Sequence, residues 1–431
     1  MKNVLIISPY FPPSNTADMQ RIRMSLPYFA ENGWNAEIVT VNEKYSDLSK
    51  DNLLLKNIPN NIVIHKVDAF SKKFTSKFGL GSLGLRSMYF YRKHVNKLLK
   101  TKNYDLIYFS TTEFSVTILG NYWKKKYNIP YVIDMQDPWH STYYEDKPKS
   151  ERPAKYWFSY HLNKFLEPIA MKNLDGLISV SQAYIDTLHN RYRNLKSVPT
   201  KVITFGAYIP DFDFVKSNAN LFNLPFSKIK DSINIVYVGR GGHDLKDAVS
   251  LLFEGLKKGL EENPILFKQL RFHFIGTSYA PNGTGKLTIK PIADEMGLSE
   301  FVFEQTDRVS FYNGIFTLLN AEALIIVGSD DPQYTASKIY PYILANKPLM
   351  AIFHPVSSAS KIINECSAGR VISVLDKKNA VENIHNELTK WLTNHKNPST
   401  NWDTFSKYDA KNMAKLQCDL FNQITNLEAL F

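Results

Sequence analysis

Cysteine is almost missing from this chain: Cys366 and Cys418 are the only two among 431 residues. Two thiols cannot build a disulfide framework or a multi-thiolate zinc site, and neither has a partner at metal-ligand spacing. Long apolar runs are missing as well, since none approaches the roughly 18 residues that a membrane-spanning helix needs. The run Val4-Leu-Ile-Ile7 breaks at Ser8-Pro9, too short for the apolar region of a secretion signal, and no small-residue cleavage site follows. It reads as a buried first strand, and the expected location is reducing and cytoplasmic. There is no fixed-period repeat and no low-complexity stretch. With 44% hydrophobic and 22% charged residues, the composition excludes a disordered or fibrous chain. The length is too great for one ordinary core and suits two domains of about 200 residues each.

Acids are in deficit, 41 against 52 lysines and arginines, for a formal charge of +11. The excess is local. Thirteen basic and three acidic residues lie between Lys66 and Lys126, a window that carries nearly the whole net charge. Within it, Leu85–Lys100 has helical periodicity. Leu85, Met88, Tyr91, Val95, Leu98 and Leu99 fall on one side, and Arg86, Lys93, Lys97 and Lys100 fall opposite. Two readings stay open: an ordinary surface helix with solvated lysines, or a patch that attracts an anionic membrane or a lipid diphosphate. No RNA- or DNA-binding motif accompanies the charge, so nucleic acid is not expected.

Two series of alternating strand and helix patterns follow one another. Strand-like runs occur at 4–7, 36–41, 62–67, 106–109, 131–133 and 176–180, then at 233–238, 271–275, 301–303, 323–327, 349–353 and 371–374. Alternation of this kind means parallel sheets covered on both faces. The fold class expected is therefore α/β, with two Rossmann-like, doubly wound domains facing across a cleft. Residues 1–205 would form the first domain, 206–230 an irregular linker, 231–400 the second domain, and 401–431 a helical tail packing back toward the first. Such sheets bind ligands beyond the carboxyl ends of their strands, and two of them suit group transfer between bulky partners.

Several motifs fail on context. Gly79-Leu-Gly-Ser-Leu-Gly84 matches a dinucleotide fingerprint but follows no strand, and no acidic ribose ligand stands about 20 residues on. Asn282-Gly-Thr-Gly-Lys286 ends like a phosphate-binding loop, with Leu287 where a magnesium-holding Ser or Thr would stand. Asp211-Phe-Asp213 has the spacing of a metal-dependent sugar-nucleotide site but falls in the expected linker, where its carboxylates would be solvated.

Four segments sit just beyond strands. In the first, Ser14, Asn15 and Thr16 precede a helix bearing Arg21, where free amides at a helix start would make an anion loop. In the second, Asp134-Met-Gln-Asp137-Pro-Trp139-His140, the carboxylates and imidazole either orient sugar hydroxyls as acid or base, or serve only as a turn cap beside a gap-filling indole. In the third, Gly239-Arg240-Gly-Gly-His-Asp-Leu-Lys246, a glycine-rich turn with two cations can cradle a diphosphate without metal. In the fourth, Ser337-Lys338-Ile-Tyr340 begins a helix that ends before Ala345-Asn-Lys-Pro348, a second phosphate end.

At these residues the chain resembles a family-4 glycosyltransferase of GT-B architecture, over nearly its whole length. Tyr10-Phe-Pro-Pro13 with the arginine-bearing helix and Glu31-Asn-Gly33 resembles the acceptor domain. Asp134-Met-Gln-Asp-Pro-Trp139 is similar to an Asp-x-Arg-Asp-Pro-Trp pattern, with Gln136 for arginine. Gly239-Arg240 with Lys246 resembles the donor-phosphate turn, and Ser337-Lys338-x-Tyr340 the donor-binding helix. The resemblance implies transfer of a sugar from a nucleotide sugar to a saccharide acceptor, with retention and with no cofactor or required metal. The acceptor is expected to be lipid-diphosphate-linked, with peripheral contact at an anionic membrane. Asp137 and His140 would orient the acceptor, while Gly239, Arg240, Lys246, Gln333, Ser337 and Lys338 would hold the donor. The family usually carries two glutamates eight residues apart in the last region; here those places fall on Gln333 and Pro341. These departures keep a catalytically degenerate scaffold in view; a nucleotide-sugar epimerase of the same fold is a second alternative, though it usually needs more acidic and histidine residues in the cleft than are found here.

Overall fold

The computed structural model describes residues 1–142, 145, 149, 152, 155–329, 332 and 337–428. It divides into two compact units, Met1–Gly206 with Ala410–Phe431, and Ala207–Asp409.

The first unit is built on seven parallel strands: β1 (Lys2–Ile7), β2 (Trp34–Val41), β3 (Val63–Val67), β4 (Leu106–Ser110), β5 (Tyr131–Met135), β6 (Gly176–Ser179) and β7 (Thr200–Val202), in the order 3-2-1-4-5-6-7. Every residue of β4, β5 and β6 is buried, as parallel strands covered on both faces require. β7 was not foreseen, because the three residues of this edge strand, none of them buried, leave no apolar run to read. The strand order reverses between β1 and β4, which opens a crevice beyond their carboxyl ends.

The helix expected over Leu85–Lys100 spans Leu83–Thr101, with Tyr91, Val95, Leu98 and Leu99 buried and Lys93, Lys97 and Lys100 exposed. Arg86 departs from that division. It was expected on the solvent side, yet it is buried and its guanidinium donates to the carbonyls of Phe70 (2.8 Å), Tyr45 (2.9 Å) and Gly81 (3.3 Å). Three loop carbonyls in one place attract a planar five-donor group more strongly than water competes for it. The carboxyl-terminal helix, Ala410–Glu428, packs on helix Met19–Phe29 of the same unit. Its fully buried Phe421 lies edge-on to Trp34 (5.5 Å) and Phe29 (6.2 Å), with Tyr108 at 5.1 Å.

The second unit has six parallel strands: β8 (Ile233–Val238), β9 (Leu270–Ile275), β10 (Val302–Gln305), β11 (Ala323–Val327), β12 (Leu349–Phe353) and β13 (Arg370–Ser373), in the order 10-9-8-11-12-13. Here the reversal falls between β8 and β11. All twelve strands anticipated in the two series are present, and both sheets are doubly wound as expected.

The stretch 206–230 is not the irregular linker anticipated. It contains helix Ile209–Ser217, which packs on helix Phe311–Leu319 inside the second unit. Asp211 is buried there and accepts a hydrogen bond from the Tyr312 hydroxyl (3.1 Å), while Asp213 is exposed. On a helix, residues two apart point away from each other, so the two carboxylates do not converge on one ion. The tail also divides: residues up to Asp409 belong to the second unit, and the helix from Ala410 to the first.

Phe421→Ala would leave a cavity among Phe29, Trp34 and Tyr108, and we expect it to destabilise the first unit by about 3–5 kcal/mol. Chemical denaturation should show an earlier unfolding step for that unit; an unchanged midpoint would mean that the last helix does not close its core.

Candidate functional site

In the second unit, β8 pairs with β11 only at Ile235 and Val236. Beyond that point a side chain completes the strand end. The Tyr342 hydroxyl accepts from the Val238 amide (2.6 Å) and donates to the Val238 carbonyl (3.2 Å). The chain then leaves β8 as Gly239-Arg240-Gly241-Gly242, tied to the end of β9 by Gly239 N–H to the Ile275 carbonyl (3.0 Å) and followed by Gly241 N–H to the Thr277 carbonyl (2.7 Å). Gly242 has φ +146°, a conformation other residues rarely adopt.

Lys338 comes from the segment that follows β11, the other strand of the reversal. Its Nζ donates to the Tyr237 hydroxyl (2.6 Å) and lies 4.6 Å from that ring's centroid. The same hydroxyl donates to the Arg240 carbonyl (2.7 Å). Gly239 makes this approach possible, since a Cβ there would lie 2.7 Å from Lys338 Nζ. Arg240 forms a two-pronged ion pair with Asp244, at 2.8 and 2.6 Å. Burial, then the positive charge of Arg240, pushes the Lys338 ammonium down to about 7, against the pull of Asp244. Two cations and a glycine turn therefore stand at the strand-order reversal, where an α/β sheet holds its ligand.

Of the other residues expected here, Ser337 is exposed beside Lys338. Lys246 opens helix Lys246–Glu262, is exposed, and makes no ion pair among the described residues. Gln333 lies outside the described residues, and Pro341 lies inside the short helix Ile339–Leu344. Two partners escaped the sequence reading. Asp244 carried a usable signal, its place four residues after Arg240 at the start of a helical segment. Tyr237 carried none, because an aromatic residue within a strand reads as core.

In the first unit the anion loop foreseen at Ser14, Asn15, Thr16 and Arg21 is not formed. Ser14 N–H donates to the Phe11 carbonyl (3.1 Å) and Asn15 N–H to the Ser49 carbonyl (2.9 Å), so these amides are already taken. Thr16 is half-buried. The helix start is capped by Asp18, whose carboxylate accepts from Met19 N–H (3.0 Å) and, across the β1–β4 reversal, from Thr112 N–H (3.1 Å) and the Thr111 and Thr112 hydroxyls. The chain's own carboxylate fills the place where an anion was expected.

Arg21 is fully buried and pairs with fully buried Asp134 at 2.5 Å. Its guanidinium also donates to the carbonyls of Ile203 (2.8 Å) and Thr204 (3.1 Å) and lies over the Phe205 ring. Asp134 accepts further from Gln136 (3.0 Å), Tyr108 (3.2 Å) and Ser110 (3.3 Å). Burial raises its pKa, and Arg21 followed by these donors pulls it back. Neither residue can reach a ligand; both hold the scaffold.

Asp137 remains exposed beyond β5. The body of the unit surrounds it closely enough that lost hydration, then the charge of Asp18, raises its pKa to about 6. Trp139 takes the gap-filling role: it stacks on Phe114 (5.6 Å) and donates from its indole to Asn163 (3.1 Å). His140 is buried against Tyr160, with no hydrogen-bond partner on either ring nitrogen among the described residues. Desolvation, then the charge of Arg191, holds its pKa below the ordinary histidine value, so the ring is neutral near pH 7. Its backbone is fixed by Glu167 (3.1 Å from its N–H) and by Arg191 (3.1 Å from its carbonyl). No hydrogen bond joins it to Asp137 among the described residues.

Residues 27–206 match the family model of Glycosyltransferase Family 4. No curated protein matches the chain. Among solved structures, the chain resembles sucrose-phosphate synthase from Thermosynechococcus elongatus at 13% identity and TM-score 0.61, over 100% of both chains. It also resembles HepE of Anabaena in complex with UDP, at 15% identity and TM-score 0.54, over 100% of this chain and 98% of that one. A third likeness is the trehalose-6-phosphate protein from E. coli bound with UDP-2-fluoro glucose, at 13% identity and TM-score 0.57, covering 97% and 99%. At these identities the likeness is one of fold.

The raised pKa of Asp137 has a consequence for stability. Its charged form is disfavoured in the folded state, so the wild type carries a penalty that is complete above about pH 6 and gone below about pH 4. Asp137→Asn should therefore melt at a higher temperature than wild type at pH 7.5, with the gap closing as pH falls from 6 to 4. A constant gap across that range would contradict the assigned pKa.

Proposed function

We propose that this chain, a family-4-like glycosyltransferase with the GT-B fold, moves a hexose-type sugar from a nucleotide sugar to a saccharide acceptor in the assembly of a bacterial surface glycan. It would do so with retained anomeric configuration and without a required metal. One observation carries the reading: Arg240 and Lys338, from the segments after β8 and β11, are brought together around Gly239 at the point where the strand order reverses. That arrangement supports a site for the donor's diphosphate, with Ser337 next to Lys338 and with Lys246 at the start of the helix that follows the turn; hydrogen bonding of the donor sugar by Gln333, which lies outside the described residues, rests on the family resemblance.

In the reaction, the bond from the anomeric carbon to the diphosphate oxygen breaks, and a bond from that carbon to the acceptor oxygen forms on the same face. The acceptor proton passes to the departing phosphate. Negative charge grows on the diphosphate as it leaves, and Arg240 and Lys338 stabilise it. Asp137 accepts a hydrogen bond from the acceptor hydroxyl and orients it, while His140 shapes that side from within the fold. The acceptor is a saccharide carried on a lipid diphosphate.

The pairing of Arg240 with Asp244, and Pro341 where an acid is usual, favour one second reading, a scaffold that binds a nucleotide without turning it over. Nucleotide binding with no sugar transfer or hydrolysis would select it.

Arg240→Ala and Lys338→Met should each weaken binding of nucleoside diphosphate by roughly 10–100-fold, as loss of a charge-assisted hydrogen bond does. Binding by wild type should persist in EDTA. Because Lys338 titrates near 7 when the site is empty and a bound diphosphate raises that value, wild-type affinity should fall up to about tenfold per pH unit above 7. The Lys338→Met variant should lose that dependence. Calorimetry across pH 6.5–9 reads both effects, and a pH-independent wild type or an absolute need for manganese would refute the assignment.

A further inference from the structure

Several aromatic residues of the first unit lie outside its core, Phe70 and Tyr89 among them, and the four most exposed among the described residues come from two segments. Segment Lys72–Thr75 and the turn Ser76–Phe78 expose Phe74 at 65% and Phe78 at 64%, and helix Tyr156–Met171 exposes Trp157 at 72% and Phe165 at 68%. On that helix Trp157, His161, Phe165 and Pro168 recur at helical spacing and are all exposed, so they form one solvent-side stripe.

The two segments form one surface. Lys155 Nζ donates to the Ser76 carbonyl (3.3 Å), and a Cβ on Gly79 would lie 2.6 Å from the Phe158 ring. The Phe74 and Phe78 rings pair at 5.5 Å without leaving the solvent. Around them stand Lys73, Lys77, Lys155 and Lys164, all exposed and without an ion pair among the described residues; their neighbour Lys72 is tied to Asp47.

Exposed apolar groups gathered on one surface and rimmed by polar residues mark an interaction site. The chemistry of the rim selects which one. Lysine is depleted at protein–protein interfaces, whereas rings rimmed by long-stemmed ammonium groups match a bilayer interface. We propose that this face docks on an anionic bilayer, with Phe74, Phe78, Trp157 and Phe165 set into the headgroup region and the four lysines against lipid phosphates. The docking stands on these exposed residues; its corollary, delivery of a lipid-linked acceptor to the first unit, rests on the transferase reading above. It differs from association through the basic helix alone, which salt would release completely.

Sedimentation of the full chain with vesicles tests it, using phosphatidylcholine alone or mixed with phosphatidylglycerol. Wild type should bind the mixed vesicles and retain a bound fraction in about 0.5 M salt, where screening leaves charges a reach of only a few Å. The variants Phe74→Ser/Phe78→Ser and Trp157→Ser/Phe165→Ser, made separately so that each can be shown folded by its melting curve, should lose the salt-resistant fraction. Charge reversal of the four lysines should abolish the preference for anionic vesicles. Lysine substitutions in the basic helix, Lys93→Glu, Lys97→Glu and Lys100→Glu together, should leave the salt-resistant fraction in place. Wild type that does not bind, or serine variants that bind as wild type does, would overturn the proposal and point to a protein partner. The assay contains no nucleotide or sugar, so a chain that docks yet transfers nothing would overturn only the transferase reading.

Discussion

The first unit depends on one ion pair held away from water, Arg21 with Asp134. Asp134, next to last in β5, gathers Tyr108 and Ser110 from β4 together with Gln136. Arg21 reaches from the first helix to the carbonyls of Ile203 and Thr204, just past β7. Tyr108 in turn accepts from Gln417 on the carboxyl-terminal helix (3.1 Å), which brings the last segment of the chain to the same point. A buried pair of this kind adds little net stability, because desolvation offsets the attraction, but removing one partner costs about 3–5 kcal/mol. Its effect is positional. The network ties three strand ends, a loop and two helices to one Asp134 oxygen, while Asp134 Oδ1, Gln136 Oε1 and Gln417 Oε1 accept no hydrogen bond among the described residues.

That arrangement explains why Asp137, three residues on, is placed as it is. The strand end is immobilised by Asp134, the following Trp139 is wedged on Phe114, and the backbone of His140 is held between Glu167 and Arg191. Asp137 and Pro138 are the members of this turn left exposed. The carboxylate proposed to meet the acceptor is thus carried on a turn fixed from both sides, which gives it a set position with no hydrogen bond of its own among the described residues.

The sheets were legible because parallel strands covered on both faces must be apolar at nearly every position, and runs such as Leu106–Phe109 and Leu349–Phe353 can hardly be read otherwise. The site was legible in part. Gly239, Arg240 and Lys338 follow strands at the reversal point, and residue type and position together mark them. Arg21 and Arg86 misled for one reason: arginine on an amphipathic helix ordinarily faces solvent, and only tertiary structure supplies the inward carbonyls and carboxylate that hold these two. The same limit applies to Asp18. A helix start reads as an open anion site until the three-dimensional fold brings Thr111 and Thr112 to the capping carboxylate.

The two units share one architecture and differ in what stands at its crevice. In the first, Asp18 spans the loops after β1 and β4, and its charge helps keep Asp137 from ionising readily. In the second, the corresponding loops present Arg240 and Lys338. Net charge conceals this contrast, since the first unit holds the most basic stretch of the sequence, Lys66–Lys126. Most of its lysines lie on helices, however, while Asp18 and Asp137 stand beyond the strand ends. An anionic diphosphate is disfavoured at the first crevice and attracted by the second, whereas a neutral polyhydroxyl ligand suits carboxylates that accept hydrogen bonds. Arg240 is matched by Asp244 when the site is empty, and Lys338 is held near the middle of its titration. Under the function proposed above, the second crevice stores little uncompensated charge until a diphosphate arrives, and gains its positive character by taking up a proton as that anion binds.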